Sequence, residues 1–64
     1  MGSGAMKDYV SQIEKLRRDA AECALIRDLA TEKAKRDLFG RLADHLTVLA
    51  SEVEQAMLDT NKTG

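Results

Sequence analysis

Proline and tryptophan are absent from this chain, and phenylalanine, tyrosine, histidine and cysteine occur once each among its 64 residues. Each shortage closes a route. Without proline nothing breaks a helix outright, and with so few β-branched and aromatic residues a pleated sheet lacks its usual side chains. One cysteine cannot form an intrachain disulfide, and one cysteine with one histidine falls short of a closed zinc site. An excess of one charge is missing too: Lys and Arg number 10, Asp and Glu 11, leaving a net charge of -1. No field of one sign therefore draws in nucleic acid or an anionic membrane. No apolar run approaches the ~18 residues of a membrane span, and no charged start leads into a short hydrophobic core with a cleavage site. The expectation is a cytoplasmic protein without a membrane partner.

What the chain does have is Ala, Leu, Glu, Lys and Arg in abundance, which favours helix. The stretch Leu38 to Met57 carries the clearest pattern. Phe39, Leu42, Leu46, Leu49, Val53 and Ala56 recur in alternating steps of three and four, the a/d seam of a heptad. Ala43, Ala50 and Met57 occupy the e positions beside it, so the apolar face is too wide for one neighbour. Met6, Tyr9, Ile13, Leu16, Ala20 and Cys23 step in the same way, with Val10 and Ala24 widening the stripe. Beyond Cys23 this seam is expected to fail, because Arg27 comes next while Leu25, Ile26 and Leu29 fall off the stripe.

Ala30-Thr31-Glu32-Lys33-Ala34 separates the two stretches, and their seams are out of phase. A fold-back is expected there, with helices over about residues 7–30 and 32–58 and Thr31 as the second N-cap. The alternative is a single long helix, since the segment contains no proline, glycine or asparagine. Residues 1–5, MGSGA, read as a vector-derived lead, residues 6–58 as the hairpin domain and residues 59–64 as a disordered polar tail. A domain this small needs a staple. With disulfide and metal set aside, self-association remains.

The segments Ala21-Glu22-Cys23, Ala30-Thr31, Lys35-Arg36, Leu42-Ala43 and Leu49-Ala50, with Glu54, resemble a group of short uncharacterised helical proteins of rhizobia and related alphaproteobacteria. The resemblance covers residues 20–54. It departs at Lys33, where that pattern commonly has proline, and at Leu46, where it often has tryptophan. It implies a helical fold and brings no activity.

Candidate chemistry is sparse. Cys23 lies on the first seam, where a packed thiol is the ordinary state and a reactive one would need a nearby cation such as Arg27. His45, at a g position beside Asp44, fits a boundary residue with a wet tip. A dimer would bring together two cysteines and two histidines, but metal-ligand spacing such as C-x-x-C is missing, so no metal and no cofactor are expected. Gly40 falls at an outward b position, either a tolerated surface glycine or a place where a partner backbone comes close. Arg27, Lys33, Lys35, Arg36 and Arg41 cluster near the turn with Asp28, Glu32 and Asp37 among them, a solvated mixed-charge face.

The fold expected is all-α: an antiparallel two-helix hairpin that dimerises into a four-helix bundle. Its dimer core would comprise Tyr9, Ile13, Leu16, Ala20, Cys23, Phe39, Leu42, Leu46, Leu49 and Val53. Leu25, Ile26 and Leu29 would form a patch for another protein. The function expected is a homodimeric structural or protein-interaction module and not an enzyme. The same architecture resembles a small plasmid-encoded RNA-binding regulator, so a nucleic-acid-binding regulator is the alternative.

Overall fold

Helix formers without a breaker carry the chain through two long helices, α1 (Gly2–Leu29) and α2 (Lys33–Thr63), which fold back on each other as an antiparallel hairpin. The computed structural model describes the backbone of residues 2–63 and the side chains of residues 7–60. Both helices exceed the expected limits at their outer ends and stop one residue short of them at the turn. α1 begins at Gly2, within the stretch read as a lead, and α2 continues through Asp59 and Thr60 to Thr63. The side chains of residues 1–6 and 61–64, and with them most of the expected lead and tail, lie outside the described residues.

The turn is Ala30-Thr31-Glu32. The Ala30 amide donates to the Ile26 carbonyl at 2.9 Å and to the Arg27 carbonyl at 3.3 Å, a bifurcated bond that closes α1. No described residue has a positive φ, so the helix ends without a left-handed cap and the absence of glycine there costs nothing. The Arg36 amide donates to the Glu32 carbonyl at 3.0 Å, which makes Glu32 the N-cap of α2. Thr31 stands one residue before the cap, and the acidic Glu32 takes the place beside the positive end of the helix dipole.

The hairpin seam runs through Ile13 and Ala20 of α1 and Ala43 and Ala50 of α2, the four residues buried among those described. Tyr9, Leu16, Cys23 and Ala24 flank it on α1, and Phe39, Leu46, Val53 and Met57 on α2, all half-buried. In α2 the line of contact therefore falls on the alanines, one position after Leu42, Leu49 and Ala56. Three of the four buried side chains are single methyl groups, which lets the two backbones lie close.

The α1 seam does not fail at Arg27, contrary to the sequence expectation. Arg27 is half-buried, and a Cβ built on Gly40 would lie 3.4 Å from its Cδ. Gly40 is thus on the inner side of α2, not outward. Its missing side chain makes room for the arginine's methylene stem, while the guanidinium Nε donates to Asp28 Oδ1 at 3.0 Å. A methyl group at Gly40 would meet only the movable end of that stem at ordinary van der Waals range. Gly40→Ala is accordingly expected to stabilise the fold by about 0.5–1 kcal/mol through helix propensity. Urea unfolding checks this, and a loss of stability would mean that the helices approach more tightly there than the stem allows.

One weak ion pair crosses between the helices, and one side-chain bond is made within α2. Arg17 Nη2 lies 3.4 Å from both carboxylate oxygens of Glu54, an exposed pair contributing about 0–1 kcal/mol. Thr47 Oγ1 donates to the Ala43 carbonyl at 2.8 Å, which satisfies a hydroxyl in mid-helix.

Candidate functional site

Two helices side by side make a body only one layer thick. The Cα atoms span 48 × 16 × 10 Å, and their radius of gyration is 14.8 Å, against about 11 Å for a compact domain of this length. Such a layer has a single internal seam and two broad outer faces, so most apolar side chains cannot be enclosed. Val10, Leu25, Ile26, Leu29, Leu38, Leu42, Val48 and Leu58 are all exposed.

The faces differ. A step of one residue turns a helix by about 100°. Leu42, Leu49 and Ala56, each one position before Ala43, Ala50 and Met57, therefore project together from one face of the layer. Leu38 leans the same way, and Leu46 and Val53 sit between this line and the seam. On α1, Leu16 and Cys23 border the same face, and Ile26 is at its outer edge. A shallow groove lined by Asp8, Tyr9, Gln12 and Val53 opens there toward the free end. The opposite face carries the Arg17–Glu54 ion pair, Thr47 and Ser51, with Val10 and Leu58 toward the open end. One broad side is thus apolar, chiefly over α2, and the other is largely polar.

The ten residues expected at a dimer core divide accordingly. Ile13 and Ala20 are buried within the single chain. Tyr9, Leu16, Cys23, Phe39, Leu46, Leu49 and Val53 are half-buried, and Leu42 remains 37% exposed. Leu25 at 58% and Leu29 at 72% exposure lie on the side of α1 turned away from α2, with Ile26 between them and the apolar face. Ala43 and Ala50 are more deeply placed than any residue of that set except Ile13. Their signal was present in the sequence as the e positions of a face too wide for one neighbour.

Polar chemistry is thin around these side chains. Cys23 is a half-buried free thiol, and His45 is exposed on α2. Among the described residues no group of three or more His, Cys, Asp or Glu side chains could hold a metal ion, and no helix is long and apolar enough to cross a membrane. Near the turn, Arg27, Arg36 and Arg41 share their surface with Asp28, Asp37 and Asp44. Comparison with protein families, with curated proteins and with solved structures finds no match to this chain.

Proposed function

We propose that this protein is a small structural or protein-interaction module of the cytoplasm that acts as a homodimeric four-helix bundle. The observation that carries the reading is the exposed area. The hairpin presents 4966 Å² to solvent at 7.1 kDa, where a compact protein of that mass presents about 4,100 Å². Two separate copies expose about 9,900 Å² and a compact body of twice the mass about 6,800 Å², so complete pairing would cover about 3,100 Å². That area belongs to the range of obligate homodimers, about 2,000–5,000 Å². Sedimentation equilibrium at micromolar concentration is expected to give twice the chain mass, with a melting temperature that rises with concentration. A folded monomer at tens of micromolar would overturn the reading.

Leu25, Ile26 and Leu29 supply the second part of the proposal, a patch near the turn for another protein. Leu25→Gln with Leu29→Gln is expected to change stability by no more than about 0.5 kcal/mol, the scale of exposed positions, while abolishing capture of the cellular partner. A loss of several kcal/mol would place these leucines in a core and remove the patch. The acidic neighbours of the turn's basic residues support an interaction module over the alternative of a nucleic-acid-binding regulator, which salt-sensitive retention of RNA or DNA would restore.

A further inference from the structure

We infer that α2 pairs with α2 of a second copy, antiparallel, so that the two turns lie at opposite ends of the bundle. This rests on the homodimer reading and deepens it by naming the face and the orientation. α2 carries two overlapping seams. Phe39, Ala43, Leu46, Ala50, Val53 and Met57 face α1, while Phe39, Leu42, Leu46, Leu49, Val53 and Ala56 form a second heptad line turned toward the open face. One line is used within the chain. The second shares Phe39, Leu46 and Val53 with it and adds Leu42, Leu49 and Ala56, of which Leu49 is half-buried and Leu42 and Ala56 are exposed; it is continuous over 18 residues and free of charge.

The occupant must match that line, and α2 itself does. In an antiparallel pair each a residue meets a d residue of its neighbour. With the two-fold axis beside Thr47 and Val48, Leu46 meets the partner's Leu49, Leu42 meets the partner's Val53, and Phe39 meets the partner's Ala56. Every contact is made twice, as an isologous interface requires. The same register sets His45 beside the partner's Glu52 at the flank, an imidazole facing a carboxylate in two symmetric copies. The α1 half of the face is less suited to the centre, because Gln12 and Asp19 project from it. In this arrangement they fall nearer the rim, where polar groups stay wet.

The orientation separates cleanly from its rivals. In a Cys23→Ala background, a spin label on Lys33→Cys sits at the start of α2, far from the two-fold axis. Opposite turns put the two labels about 44 Å apart along the bundle at 1.5 Å per residue. Turns at the same end bring them within about 25 Å, given helix spacings of 8–10 Å. The face is tested independently: Leu49→Gln is expected to weaken dimerisation at least tenfold while helicity is kept at high concentration, and Ser51→Gln on the polar face to change it less than about threefold. A short label distance, or a larger effect from Ser51→Gln, would overturn α2 self-pairing with the dimer intact. Absence of any intermolecular distance in a chain that sediments as a monomer would instead defeat the homodimer reading beneath it.

Discussion

Ile13→Ala is expected to remove about 2–5 kcal/mol of stability, the range for truncating a buried isoleucine. Its effect should be out of proportion to its chemistry because the hairpin has so little else enclosed. Ile13 is 6% exposed, and the other buried side chains among the described residues are the alanines at positions 20, 43 and 50. Removing it leaves a gap on the seam, near the half-buried Tyr9 and Leu16, that methyl groups on rigid helices cannot fill. At about 0.05–0.15 kcal/mol per residue, a 64-residue chain has roughly 3–10 kcal/mol in total. The variant should therefore be partly unfolded at ambient temperature. Urea titration followed by circular dichroism checks this, with chain concentration held fixed because dimerisation would couple to unfolding. A loss below about 1 kcal/mol would mean that the seam does not hold the hairpin together.

The architecture was legible because helix propensity, periodicity and the phase break near residue 31 all pointed to a fold-back. The seam within the chain was harder to read. Heptad counting favours the larger side chains, so it selected Leu42 and Leu49 and set Ala43 and Ala50 to the flank. The hairpin instead uses the small residues, because two helices linked by three residues gain more contact by close approach than by interposing leucines. Arg27 and Gly40 misled for a related reason. Each looks wrong alone, an arginine on an apolar seam and a glycine in mid-helix, and the pairing that explains both spans two helices. At the outer ends local composition misled in the other direction: the Gly/Ser-rich start and the polar residues after Leu58 read as non-helical, yet α1 begins at Gly2 and α2 runs to Thr63.

The alanine seam gives the second large expectation, which is that adding bulk does harm. Ala50 is the most enclosed residue of the seam at 2% exposure, and Ala43 lies two turns away on the same line. Leucine at position 50 would bring three further carbon atoms to a place where the backbones are held close by the lack of them. Alanine and leucine differ little in helix propensity, so the substitution reports packing and not local preference. Ala50→Leu is expected to cost about 1–3 kcal/mol as the helices are forced apart. The same exchange at the exposed Ala21 should stay within about 0.5 kcal/mol. Thermal and urea unfolding of both variants at one concentration make the comparison. Equal, small effects would show that Ala50 is not at a close approach. The line through Leu42 and Leu49 would then be the seam within the chain, and the face assigned to a second copy would already be occupied.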